Sequence, residues 1–215
     1  MKQFEAFTKL LLSENQKYNL TAITDPEEIR QKHFEDSLIL LKICELAPGS
    51  SLLDVGSGAG FPGIPLAMAR PDLRISLLES NGKKAAFLRK AGEALELPVK
   101  VIRARAEEIA HMAEYRGQFD WVLSRAVAAL PILCELCLPF VAIGGHFAAY
   151  KGTGAKAEQE LEQAREAIKL LGGAVADVKT RHTDYGERTL VLIKKISQTP
   201  ANYPRNHGAM LKKSL

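Results

Sequence analysis

Residues 52–63 read Leu52-Leu53-Asp54-Val55-Gly56-Ser57-Gly58-Ala59-Gly60-Phe61-Pro62-Gly63, an apolar run that ends beside an acid and passes into closely spaced glycines. A short apolar run bounded by glycines is a buried strand, and the apolar residues after Gly63 continue as a helix. Glycine belongs in such a bend because a ligand must come closer to the backbone than a Cβ allows. Open α/β sheets bind ligands in the crevice beyond the carboxyl ends of their strands, so this loop is the first candidate site.

Two ligands compete for it. Gly58-Ala59-Gly60-Phe61-Pro62-Gly63 satisfies the G-x-G-x-x-G spacing of a dinucleotide loop, which points to an NAD(P)-dependent oxidoreductase. The alternative spacing, Asp54-x-Gly56-x-Gly58-x-Gly60, is similar to the first motif of S-adenosylmethionine-dependent methyltransferases. That cofactor presents a cationic sulfonium and an ammonium group. Asp54 at the loop entrance favours them electrostatically and sits awkwardly beside a pyrophosphate. Glu79 follows Gly60 by nineteen positions, at the end of the next expected strand. An acid there accepts hydrogen bonds from ribose hydroxyls, which suits either ligand.

Outward from the loop, apolar runs alternate with helical stretches. Strands are expected near residues 51–55, 74–78, 99–103, 121–124, 146–150, 174–179 and 189–194. Helices are expected near 63–70, 83–95, 106–111, 128–138 and 155–171. This alternation implies an α/β fold, a doubly wound, seven-stranded, mostly parallel Rossmann-like sheet. The short link between the last two strands, around residues 181–188, implies an antiparallel hairpin.

Residues 1–47 read as an N-terminal helical extension, residues 48–197 as the ligand-binding domain and residues 198–215 as a basic, loop-like tail. In the extension, Phe4, Phe7, Leu10 and Leu11 recur at helical spacing. Asp25-Pro26-Glu27-Glu28 marks a second helix start, with Asp25 as cap and Glu28 completing a capping box.

The hydrophobic content of 47% excludes a disordered chain. No apolar stretch approaches the ~18 residues of a membrane span, and the N-terminus does not read as a secretory signal. Three cysteines make no disulfide framework, so a reducing cytoplasm is the expected compartment. Cys134 and Cys137 spell C-x-x-C inside an apolar helical pattern and read as core thiols; no metal site is expected. The net charge of +4 is unevenly placed: residues 81–105 and 194–215 each carry +5, whereas residues 1–47 carry −2. Such clustering suits a phosphate-binding face.

The extended run Gly56 to Pro65 is accompanied by Asn19-Leu20-Thr21, His33-x-x-Asp36-Ser37-Leu38, Arg105-Ala106-Glu107-Glu108, Ser124-Arg125-Ala126 and Lys151-Gly152. With these motifs the chain resembles, over nearly its whole length, the RsmG (GidB) family of bacterial 16S ribosomal RNA guanine-N7 methyltransferases. The resemblance implies S-adenosylmethionine as cofactor, with contacts at Gly56, Phe61, Ala106, Glu107 and Arg125. Asp54, Gly58, Gly60 and Glu79 complete the expected cofactor set. Arg125, His33 and Lys151 are candidates for positioning the substrate. Lys32, Lys83, Lys84, Arg205, Lys212 and Lys213 are candidates for RNA contact. Lys32 stands where the family usually has arginine, which keeps the charge and loses the planar fork.

The implied partner is 16S ribosomal RNA, free or within a ribosomal particle, and a monomer is expected. Guanine N7 carries an exposed lone pair, so the reaction needs alignment of the reacting atoms and no general base. The target should be an unstacked base, with Phe61 or Tyr150 available to contact it. A non-catalytic RNA-binding module on the same fold is the remaining alternative.

Overall fold

The computed structural model describes residues 2–215, and period-two and period-3.6 patterns both become regular elements where the chain provides them. Strands β1 (Ser51–Val55), β2 (Arg74–Leu78) and β3 (Lys100–Ile102) pair in parallel. They are joined through α4 (Gly63–Ala69) and α5 (Gly82–Ala94). Strands β4 (Phe119–Arg125) and β5 (Val141–Lys151) are also parallel, whereas β7 (Gly186–Lys195) runs antiparallel to both β5 and β6 (Gly173–Thr183). The sheet order is β3-β2-β1-β4-β5-β7-β6. The doubly wound α/β expectation and the terminal hairpin are both borne out.

The chain divides into two compact units, residues 1–104 and 105–215. In the first, α1 (Lys2–Tyr18) buries Phe7 and Leu11 of the apolar stripe read from the sequence, while Phe4 and Leu10 stay half-buried. The helix α2 (Pro26–Ile29) starts as expected: Asp25 accepts from Glu28 N at 2.9 Å, with Pro26 in the first turn. The capping box is only half made, because the Glu28 carboxylate pairs with Lys32 instead. Beyond it the chain continues as a π-helical segment, Arg30–Glu35, and then α3 (Ile39–Ile43).

In the second unit, α6 (Ala106–Ile109), α7 (Leu130–Cys137) and α8 (Gly154–Leu170) accompany the strands. Cys134 and Cys137 lie in the core, and burial pushes the Cys134 thiol far up from its ordinary value. Strand β5 starts earlier than expected. Gly144-Gly145, which resemble a turn in sequence, sit where the β4–β5 register shifts, and the strand continues through them.

The tail is corrected most. Residues 207–212 form a helix, α9 (His207–Lys212), which Asn206 caps by accepting from Ala209 N at 2.9 Å, and Met210 is buried beneath it. Cations fasten the chain before it. Arg116 donates to the carbonyls of Thr199, Pro200 and Tyr203, and Lys195 donates to those of Leu138 and Leu171. A patternless segment can be ordered this way, since its backbone oxygens are satisfied from elsewhere in the chain. No helix among the described residues is long and apolar enough to cross a membrane.

Candidate functional site

The glycine-rich bend is built on two buried carboxylates. Asp54, at zero exposure, accepts from Gly63 N through Oδ2 at 3.0 Å and so holds the start of α4 against the end of β1. Glu79, also buried, accepts from Gly58 N through Oε2 at 2.9 Å and from Asn81 N through Oε1 at 2.7 Å. The backbone completes the bend: Gly56 N and Ser57 N both donate to Leu78 O, and Gly60 N donates to Ser57 O. The ends of β1 and β2 thus fix the shape of residues 56–63 through the chain's own hydrogen bonds.

Two of the glycines do opposite work. At Gly63 a Cβ would lie 2.2 Å from Leu77 Cδ2, so this glycine exists to let α4 press on β2. At Gly58, with φ +58°, an added Cβ would meet only Gly56 O, at 3.8 Å. The space beside Gly58 is open, and the left-handed backbone there leaves an edge of main chain uncovered by any side chain of its own. That edge, with Glu79 behind it, fits a nucleoside-bearing ligand that lies against backbone.

Asp54 departs from its expected part. A fully buried carboxylate tied to Gly63 N organises the loop from beneath. Glu79 clamps the loop, and each of its oxygens retains capacity to accept another hydrogen bond. Phe61 is buried in an aromatic cluster, its ring 4.5 Å from that of His33 and 5.4 Å from those of Phe7 and Phe34. Tyr150 is buried as well. The expectation that either ring stacks on a base is therefore corrected: both serve packing. His33 is oriented by that stack and by Thr21, with Nε2 and Oγ1 at 2.8 Å.

The remaining candidates for cofactor binding and substrate positioning lie in the second unit. Ala106 opens α6, Glu107 is ion-paired with Arg105, and Arg125 ends β4 half-buried. Lys151 Nζ donates to Ala128 O at 3.0 Å and to Glu160 Oε2 at 2.7 Å. Glu160 also accepts from Leu130 N at 2.9 Å. Burial alone would raise the Glu160 carboxyl, but the Lys151 ammonium and the Leu130 N–H outweigh it and hold it below its ordinary value. Lys151 is thus a brace between β5 and the start of α7, not a group poised over substrate.

The model of the family described as GidB, rRNA small subunit methyltransferase G, matches residues 1–191. A relative from Pelotomaculum thermopropionicum, "Ribosomal RNA small subunit methyltransferase G", is 45% identical over all of this chain and 90% of its own length. One of the same description from Lachnoclostridium phytofermentans is 47% identical over all of this chain and 89% of its own. This chain belongs to the rRNA small subunit methyltransferase G family.

Membership in the GidB family makes the protein an S-adenosylmethionine-dependent methyltransferase and removes the dinucleotide reading of the loop. Solved structures agree in fold. TYW2 from M. jannaschii, solved in complex with AdoMet, superposes with a TM-score of 0.61 at 17% identity, covering 77% of each chain. TrmN from Thermus thermophilus gives 0.56 at 18% identity, covering 74% of this chain and 48% of that one.

For a GidB-family chain, the basic residues are the instructive part. Lys83 is exposed at the start of α5 beside Lys84, and Lys212 and Lys213 are exposed at the end of the chain. Lys32, in the π-helical segment, pairs with Glu28 of α2. Arg205 is corrected. Its Nε and Nη2 donate to the two oxygens of Glu135, at 2.9 and 2.7 Å, and its backbone N donates to Oε1 as well. Glu135 is 1% exposed, so this arginine neutralises a buried acid and anchors the tail. Glu135 and Glu160 were not singled out from the sequence, where each is one acid in an amphipathic helix. Their partners lie 70 and 9 positions away, beyond any local pattern.

Proposed function

We propose that this chain transfers a methyl group from S-adenosylmethionine to N7 of a guanine in 16S ribosomal RNA. It would act in the cytoplasm, as a monomer, on RNA that is free or within a ribosomal particle. The observation that carries the reading is the full-length likeness to rRNA small subunit methyltransferase G, together with an intact open bend at Gly58 clamped by Glu79.

Within the first unit, Gly56, Gly58 and Gly60 would let the cofactor lie on the backbone, and Glu79 would accept its ribose hydroxyls. Asp54 would hold the loop in that shape. The backbone of Phe61 would border the ligand while its ring stays in the aromatic cluster, where it also orients His33. Within the second unit, Ala106 and Glu107 would receive the adenine edge, and Arg125 would orient a carboxylate or the target nucleotide. S-adenosylmethionine supplies an electrophilic methyl group on a sulfonium. Guanine N7 is already a lone-pair nucleophile, so the protein's task is to hold the reacting atoms ~3–3.5 Å apart and in line. That task needs rigid positioning more than titratable groups. Lys83, Lys84, Lys212 and Lys213 would neutralise RNA phosphates.

Mass mapping of small-subunit rRNA from cells with and without the protein tests the substrate; an unchanged modification pattern overturns it. A Gly58→Val substitution tests the pocket. A branched side chain is strained at a positive φ and fills the open edge. Calorimetry with S-adenosylhomocysteine should show at least ~100-fold weaker binding, and undiminished affinity refutes the placement.

A further inference from the structure

Strands β6 and β7 pair over their full length, from Gly173↔Lys195 to Thr183↔Gly186, but β5 leaves β7 at Lys151↔Thr189. The register therefore carries the pairs Arg181↔Arg188, His182↔Glu187 and Thr183↔Gly186 past the end of β5. At ~3.4 Å per residue the ribbon stands roughly 10 Å beyond that end. Arg125 lies at the same end, since it pairs with Tyr150. The overhang thus rises beside the carboxyl ends of β4 and β5, the edge at which α/β sheets hold their substrates.

A two-stranded ribbon is marginal in water on its own, and this one is braced at its base. Glu187 Oε2 accepts from Gly154 N at 3.0 Å, at the start of α8, and the hydroxyls of Thr180 and Thr189 meet across the strands at 3.0 Å. Arg181 and Arg188 are direct cross-strand partners, so their side chains leave the ribbon on one face. Like charges directly opposite cost stability in an antiparallel pair. Arg188 also lies over the ring of Tyr185, 5.1 Å from its centroid. Arg188, which also donates through Nη1 to Glu187 O at 2.7 Å, and Arg181 opposite it on the same face place cationic donors beside an aromatic ring, which suits a phosphate and an unstacked base together. An acidic protein surface would engage the cations and leave the ring unused.

We infer that the overhanging hairpin, residues 180–189, is an RNA-contacting arm. Its arginines grip a backbone phosphate, and Tyr185 takes an unpaired base flanking the target. This rests on the rRNA methyltransferase reading above.

The test uses the full-length protein, 16S rRNA and a series of salt concentrations. The double variant Arg181→Gln, Arg188→Gln should weaken rRNA binding at least ~10-fold and reduce the salt slope by about 0.7 to 0.9 for each phosphate no longer neutralised. Tyr185→Ala should weaken binding roughly 10-fold without altering the slope, and Tyr185→Phe should restore it. Affinity for S-adenosylhomocysteine should stay at the wild-type value in every variant, and the thermal midpoint of the double variant should not fall. Wild-type affinity and slope in both the double variant and Tyr185→Ala overturn the arm while leaving the methyltransferase reading intact. A wild-type protein that neither binds nor methylates rRNA overturns the reading and the arm together, and that result is scored before any variant is made.

Discussion

Residues 81–105 and residues 194–215 carry the same net charge, +5, yet the fold spends the two surpluses differently. In the later segment Lys195 is buried against the carbonyls of Leu138 and Leu171, and Arg205 is locked to the buried Glu135. Those two cations hold the tail in place. In the earlier segment Lys90 pairs with Glu14 and Arg105 with Glu107, while Lys83 and Arg103 are exposed, at the start of α5 and just past β3. The guanidinium of Arg103 lies so close over Gly82 that a Cβ there would come within 3.0 Å of it. A charge count marks a phosphate-binding face only after the internally committed cations are removed from it.

The sharpest way to break this contrast is at Arg205. Replacing it with Met leaves the buried Glu135 without its ion-pair partner, which should cost about 3 kcal/mol of stability in denaturant unfolding. The salt slope of rRNA binding should not change; a slope that falls would return Arg205 to the RNA face. Next comes the pair Lys83→Gln, Lys84→Gln. It should weaken rRNA binding about 10-fold and flatten its salt dependence with stability nearly unchanged, as expected of phosphate contacts. Equal affinity at all salt concentrations would show that the outward surplus merely solvates a helix.

Lys151 extends the internal category and adds a pH signature. The Glu160 carboxyl is held below its ordinary value of 4.5, so its stabilising contribution is present above that pH and lost as the pH falls through the lower folded value. Glu160→Gln should therefore lower stability at neutral pH by about 1 kcal/mol and remove part of the acid-side decline. An unaltered acid limb of the stability profile would count against the brace. The smallest effect is expected at Lys212→Gln, Lys213→Gln: both side chains are exposed at the end of α9, and a loss of roughly 3-fold in rRNA affinity is enough to place them at the rim. A larger loss than at Lys83 and Lys84 would invert the comparison.

Much of the fold was readable because its signals are local. The apolar run 51–55, the glycines after it and the alternation that follows each fall within a few positions, and β1 and β2 begin and end where expected. Helix α9 was missed because its one buried side chain, Met210, makes no period. The early part of β5 was missed because Gly144-Gly145 spell a turn in sequence and form a strand irregularity in space. At the site, the loop and Glu79 were legible as candidates for nucleoside binding, but the clamp from Glu79 to Gly58 N spans 21 positions and was not.

The order of residues along the chain was enough to settle the alternating α/β architecture, the glycine bend and the likeness to a methyltransferase family. Each depends on side-chain periodicity or on short-range backbone freedom, which neighbours in sequence dictate. Only the tertiary structure decided which charged groups face outward. It turned Asp54, Arg205 and Lys151 into internal supports, sent Phe61 and Tyr150 into the core, and raised the β6–β7 ribbon beyond the sheet. A charge is assigned to interior or surface by partners brought together in space, and linear spacing carries no record of those partners.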